Sequence, residues 1–332
     1  MPVIEVQHLQ KTFVTKRKAA GLAGSLRALL RPEMVETQAV RDLSFSMEAG
    51  ELVGFIGPNG AGKSTTIKIL TGILYPTRGS ASVLGFTPWT QRRQLAYQIG
   101  TVFGQRPQLW YHLPALDTFY LFGKIYELDD AAIRQRIAFL SEAFEIDDLL
   151  ETPVRKLSLG QRMRCEVAAS LLHRPKLILL DEPSIGLDVV AKQRIRDTVR
   201  RMNELVGVGV LLTSHDAGDI EALCRRVLVI NHGQLVYQDK VSNLKRHYLT
   251  SKLVEVRYAE QIPADFTIRG AETIKVARER YGAKLRFDTR STPVGQVIAQ
   301  LAEAGSLVDV TISDPSLEDV IRTIYQQETE SV

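Results

Sequence analysis

At 332 residues the chain exceeds one ordinary domain, and a large unit with a smaller second one is the expectation. A composition of 45% hydrophobic and 24% charged residues excludes disordered and fibrous classes. The formal net charge of +4 is spread along the chain rather than gathered in one block, which argues against a nucleic-acid partner.

The first segment, MPVIEVQHLQ, lacks the basic-then-apolar layout of a secretory leader, and no apolar run approaches the roughly 20 residues that a spanning helix needs. Cys165 and Cys224 have neither metal-ligand nor disulfide-framework spacing, which fits a reducing compartment. A chain in the cytosol is expected, with any membrane function supplied by a partner. Residues 16–37 then lengthen the connection to AVRDLSFSM beyond a normal hairpin loop. Five basic residues (Lys16, Arg17, Lys18, Arg27, Arg31) stand there against Glu33 and Glu36. Such a piece suits anionic headgroups or a membrane partner, and equally a solvated excursion.

The stretch ELVGFIGPNGAGKSTTIKIL is the most informative. An apolar strand, Leu52 to Ile56, runs into Gly57-Pro58-Asn59-Gly60-Ala61-Gly62-Lys63-Ser64-Thr65 and then into an amphipathic helix. This satisfies G-x-x-x-x-G-K-[ST] in the strand–loop–helix context that the motif requires. The glycines let backbone N–H groups converge on phosphates, the helix N-terminus adds partial positive charge, and Lys63 sets an ammonium against the β and γ oxygens. Ser64 is the natural Mg²⁺ ligand. Nucleoside triphosphate binding is the expectation.

Between Gln105 and Leu157 helical periodicity dominates, as in AIRQRIAFLSEAFEI. The large residues Leu109, Trp110, Tyr111, His112 and Leu113 at its start read either as local core or as part of a groove for a partner helix. Leu157-Ser158-Leu159-Gly160-Gln161 then opens a helix through RMRCEVAASLLHRP. Lys176 to Leu180 reads as a buried parallel strand that delivers Asp181 and Glu182 at its C-terminal end, the edge where open α/β sheets bind ligands. Asp181 suits Mg²⁺ through water, and Glu182 suits polarisation of an attacking water.

On these residues the chain resembles an ABC transporter ATPase subunit over about residues 3–240, with Leu157 to Gln161 matching the family signature LSGGQ. Leu159 stands where the signature carries glycine; a requirement for positive φ there would strain leucine. The resemblance implies an α/β P-loop core, a mixed sheet with a helical subdomain at about 105–162. It implies ATP gripped by the phosphate loop of one subunit and by Ser158, Gly160 and Gln161 of the other. Gln105 resembles the glutamine-loop residue that reaches Mg²⁺ and water. Ser184 to Asp188 resembles the loop along the dimer seam, His215 the switch histidine that orients Glu182, and Phe13 the aromatic that stacks on adenine. Cofactors ATP and Mg²⁺ follow, with Glu182, His215 and Gln105 as catalytic residues and Ser64, Gln105 and Asp181 at the metal. The implied partners are a second copy of the chain and separate transmembrane permeases, two different ones being compatible, at the cytoplasmic face of the inner membrane.

After a connecting stretch, 241–251, residues 252–332 alternate as a small α+β domain. Strands LVEVRY, TIKVARE and AKLRFDT precede a helix at PVGQVIAQLAEAG, a strand LVDVTIS, and a last helix with Asp314 as N-cap and Pro315 as first helical residue. Dimer support or regulation is expected of it. The ending SLVDVTISDPSLEDVIRTIY resembles ATPase subunits of the multidrug, daunorubicin and sodium exporter branch. With the insert, the chain resembles subunits assigned to viologen-type exporters. An importer subunit and a non-transport ABC ATPase are the alternatives. The long coiled coil or tandem ATPase cores of the second, and the C-terminal barrel often found in the first, have no counterpart in this sequence.

Overall fold

A computed structural model describes residues 2–16, 34–104, 106–248 and 251–329. Two compact units emerge, Met1–Asp239 and Lys240–Val332.

In the first unit, β1 (Ile4–Lys16), β2 (Met34–Met47) and β4 (Arg78–Val83) form an antiparallel sheet in the order β2-β1-β4. The β1–β2 ladder continues out to Lys16 opposite Met34. The ends of the expected insert are therefore strand, and its remaining residues, 17–33, lie outside the described residues. The second sheet has the order β5-β6-β7-β3-β8-β9, from β3 (Leu52–Ile56), β5 (Ile99–Phe103), β6 (Leu177–Asp181), β7 (Gly209–Ser214), β8 (Arg226–Asn231) and β9 (Gln234–Lys240). Neighbours from β5 through β8 run parallel. Strands β3 and β7 are buried at every position, as near-continuous Val, Ile and Leu runs demand in a sheet covered on both faces. One apolar core joins both sheets with α1 (Lys63–Leu70), drawing in Phe55, Leu179, Leu211, Phe45 and Ile67.

Helices α2 (Arg92–Ala96), α3 (Ala115–Ile125) and α4 (Asp130–Phe144) precede α5 (Leu159–Ser170), followed by α6 (Val189–Val206) and α7 (Ala217–Leu223). Helix α4 starts where Asp129 accepts from Ala132 N at 2.7 Å, an N-cap. Helix α5 stops at Ser170, short of the expected end at Arg174. The chain tightens through Leu171 N to Ala168 O and Leu172 N to Ala169 O, and Arg174 turns left-handed at φ 56° before Pro175.

The second unit is an antiparallel sheet ordered β11-β12-β10-β13, from β10 (Ser251–Tyr258), β11 (Ala271–Val276), β12 (Gly282–Asp288) and β13 (Leu307–Ser313). Val254, Val256, Leu285 and Phe287 of its inner face pack with Val297 and Leu301 of α9 (Val294–Glu303). The stretch read as a connection holds a helix, α8 (Val241–Tyr248). The last helix, α10, begins at Leu317 rather than Pro315. Ser316 is the cap: its Oγ accepts from Asp319 N at 3.1 Å, and Asp319 Oδ2 accepts in return from Ser316 N at 3.2 Å. Asp314 is held in an ion pair with Lys252 and caps nothing.

Candidate functional site

The order β5-β6-β7-β3 sets four strand ends side by side. Phe103 pairs with Asp181, Asp181 with Thr213, and Ile56 with Ser214, so the segments that follow all leave the same edge. That edge is where a parallel sheet presents ligand-binding loops, because each strand hands its chain to a helix there.

The loop after β3 is dictated by close approach. A Cβ on Gly62, whose φ is 107°, would fall 2.3 Å from Ala39 O, so no other residue fits. Gly62 opens α1, and Lys63 at its first position is 4% exposed, with Nζ donating to Gly57 O at 2.7 Å and Pro58 O at 3.3 Å. A cleft of about 370 Å³ is lined by Asn59, Gly60, Ala61, Lys63, Ser64 and Thr65 together with Asp181 and Glu182. Phe13 is absent from that lining; it sits on β1 with Lys11 Nζ 5.1 Å from its ring centroid. Gln105 lies outside the described residues. Its neighbours Gly104 and Arg106 line the cleft, and a Cβ on Gly104 would meet Glu182 O at 2.3 Å.

The carboxylates are held by residues far apart in sequence. Asp181 Oδ1 accepts from Ser64 Oγ at 3.1 Å and from Thr213 Oγ1 at 2.7 Å. Thr213 Oγ1 also accepts from Glu182 N at 3.0 Å. Glu182 is left-handed at φ 54°, a conformation that costs a non-glycine residue of the order of 1 kcal/mol. Its Oε1 is 3.3 Å from Lys63 Nζ and its Oε2 3.4 Å from His215 Nδ1. Thr213 was not singled out by sequence reasoning; its place at the end of an apolar strand, directly opposite Asp181, is a pairing fact. Ser64 Oγ beside Asp181 Oδ1 is a hard-oxygen pair. Mg²⁺ accepts such a set, since it keeps several waters and takes one or two protein oxygens alongside phosphate.

The signature forms a second cleft. Ser158 caps α5 in a full capping box, Oγ accepting from Gln161 N at 3.2 Å while Ser158 N donates to Gln161 Oε1 at 2.9 Å. Leu159 is the first helical residue and has no positive φ, so leucine is unstrained there. Ser158, Gly160, Gln161 and Asp188 line this cleft with Arg164 and Arg194, and no residue is common to both clefts. Asp188 is the N-cap of α6, accepting from Ala191 N at 2.8 Å.

One buried group links α5 to the segment beyond the glutamine position. Glu166, 4% exposed, accepts from Gln108 N at 3.0 Å and from Leu109 N at 3.4 Å. Burial raises its pKa, against the pull of those backbone donors. The run CEVAAS, in which Glu166 is the one acidic residue of a helix otherwise burying small and apolar side chains toward its C-terminus, is the signal that could have marked it. The aromatic run beyond it divides: Leu109 is buried, while Trp110 and Tyr111 are each more than half exposed.

Residues 40–185 match the family model described as ABC transporter. The doxorubicin resistance ATP-binding protein DrrA of Mycobacterium tuberculosis is 30% identical over 302 residues, covering 89% of this chain and 90% of the relative. The chain belongs to the ABC transporter ATP-binding proteins. The Nod factor export ATP-binding protein I of Ralstonia nicotianae is 34% identical over 252 residues, 75% of this chain and 78% of the relative. NatA of Bacillus subtilis is 33% identical over 207 residues, 62% and 84% respectively. A solved ATP-binding subunit of an ABC transporter superposes with a TM-score of 0.59 at 26% identity, over 74% of this chain and 93% of that one. An ATP-binding cassette solved as a dimer with ADP and Pi has a TM-score of 0.59 at 23% identity, over 72% and 98%, which shows the shared fold. This ABC ATPase subunit has, among the described residues, no helix long and apolar enough to cross a membrane.

Proposed function

We propose that this subunit hydrolyses ATP at two sites shared between two copies of itself and drives export through separate permeases. The observation that carries the reading is the separation of the two clefts: the phosphate loop lines one, the capped N-terminus of α5 the other. A helix end that offers N–H groups to an anion, yet stands apart from its own phosphate loop, finds its phosphate on a second chain.

In this reading the phosphate loop binds the triphosphate through backbone N–H groups and Lys63, whose ammonium is already desolvated. Mg²⁺, when bound, neutralises charge building on the phosphoryl oxygens; Ser64 and Asp181 hold it, with Gln105 assigned there by resemblance alone. Glu182 accepts a proton from the attacking water and His215 orients Glu182, consistent with their 3.4 Å approach. Catalysis rests on positioning and charge compensation rather than covalent chemistry. Phe13 is assigned to adenine stacking by resemblance. Trp110 and Tyr111, exposed at the subdomain surface, suit a groove for a permease helix. The relatives named for doxorubicin resistance and Nod factor export support export over import; the viologen-type branch rests on the sequence resemblance of the tail together with the insert. The second unit is assigned to dimer support or regulation. The chain works at the cytoplasmic face of the inner membrane.

Co-expression with candidate permeases, followed by membrane extraction and vesicle transport, tests the reading. ATP-dependent cargo movement away from the side bearing the subunit is expected. Movement toward it would replace export by import, and absence from the membrane complex would overturn the transport assignment.

A further inference from the structure

Asp219 lies in α7, four residues beyond His215, and is 2% exposed. Its Oδ2 accepts from Ser214 Oγ at 3.1 Å and from Ser184 Oγ. Its Oδ1 takes both Arg196 Nε at 2.8 Å and Arg196 Nη2 at 2.7 Å. The partners come from three separate segments. Ser184 follows Glu182 by two residues, Ser214 directly precedes His215, and Arg196 belongs to α6, the helix that Asp188 caps. Nearer the start of the same two helices, Lys192 Nζ pairs with Asp216 Oδ2 at 2.5 Å, so α6 and α7 are bound by two ion pairs.

A carboxylate this far from water is tolerated only when its oxygens are filled, and here two hydroxyls and a guanidinium fill them. The two serines are themselves buried, so neither hydroxyl has water as a ready alternative. Cutting the hub removes the side-chain tie that lies beyond the β6–β7 ladder, where Glu182 N still donates to Thr213 Oγ1 at 3.0 Å, and Asp219, Ser184 and Ser214 do not themselves line the phosphate cleft.

We propose that Asp219 is a positioning residue that joins the Glu182 and His215 segments into one unit and thereby sets the approach of His215 to Glu182. This rests on the roles assigned to Glu182 and His215 above. It touches no nucleotide and acts through the two loops.

The test measures phosphate release and fluorescent MgATP titration on the full chain. Asp219→Asn is expected to lower kcat about 10- to 100-fold, the scale of an ångström-sized misplacement, with nucleotide Kd held within about twofold. Ser184→Ala and Ser214→Ala each remove one hydroxyl, carry the same test if Asp219→Asn fails to fold, and are expected to lower kcat by about 3- to 10-fold. Combined with His215→Ala, each of these losses should shrink, because the hub acts through that histidine. Wild-type kcat in all three variants overturns the proposal, as does multiplication of their losses with that of His215→Ala, or a Kd that rises in step with falling kcat. Glu182→Gln is assayed beside them. Rapid turnover there removes the reading of the site and this inference with it, while a stalled Glu182→Gln beside a fully active Asp219→Asn removes the inference alone.

Discussion

Lys63 Nζ stands 3.3 Å from Glu182 Oε1, two residues separated by more than a hundred positions in the chain and both almost closed to solvent. The pair brings the cation of the phosphate loop into direct contact with the carboxylate of the β6 edge, at the end of the cleft where attacking water and γ-phosphate are proposed to meet.

Replacing Glu182 by Gln keeps the shape and removes the proton acceptor. Turnover should fall at least about 100-fold, the lower range for loss of a general base, while MgATP still binds. Size-exclusion chromatography with MgATP should show a persistent dimer; a strict monomer at saturating nucleotide, even with the permeases present, contradicts the shared-site reading.

Lys63→Ala removes a charged donor that is buried with nothing to replace it. Nucleotide Kd should rise roughly 10- to 100-fold, in line with about 1.5–3 kcal/mol for a hydrogen bond to a charged group. Equilibrium titration decides, and an unchanged Kd would place the triphosphate elsewhere.

In the Glu182→Gln background, Ser158→Ala should abolish the nucleotide-held dimer while each monomer keeps its ATP. The same change deletes the cap of α5, a local cost of about 1 kcal/mol. Ser158→Asp keeps a capping oxygen but brings negative charge to the partner's phosphate, so it should restore the melting temperature and not the dimer.

His173 provides a pH test of packing. Its ring stacks on Tyr126 with centroids 3.8 Å apart, and Nε2 is 2.9 Å from Ile99 O. Burial depresses its pKa from 6.5 to about 4. The unfolded chain therefore takes up the proton first, so this contribution is whole above pH 6.5 and is lost as pH falls toward 4. Between pH 6.5 and 5 wild type should lose about 1.5 kcal/mol more stability than His173→Gln, the slope rising toward 1.36 kcal/mol per pH unit below 6.5. Melting curves of both proteins across that range measure the difference, and parallel curves would contradict it.

Glu166→Ala should strand the backbone N–H groups of Gln108 and Leu109, destabilising the helical region by about 1–3 kcal/mol. Glu166→Gln keeps an acceptor and should recover most of it, read as melting temperature. Equal losses in both variants would make the contact a charge effect instead.

The sequence by itself determined whatever is contiguous. A strand, a glycine-rich turn and a helix start lie within one short run from Leu52 to Leu70, and the backbone geometry that gathers N–H groups there is local. The helix opened by Leu157 to Gln161, the buried strand before Asp181 and the small α+β tail were legible for the same reason. The bounds slipped where side chains compete for a terminus, as at Ser316 against Asp314. Only the tertiary structure decided which distant groups meet. Thr213 reaches Asp181 because β7 lies beside β6, Asp219 gathers Ser184 and Ser214 because α6 packs on α7, and Glu166 finds two backbone donors across the subdomain. Such meetings depend on strand order and helix packing, which arise from burying apolar faces over long chain separations and leave no spacing rule along the sequence.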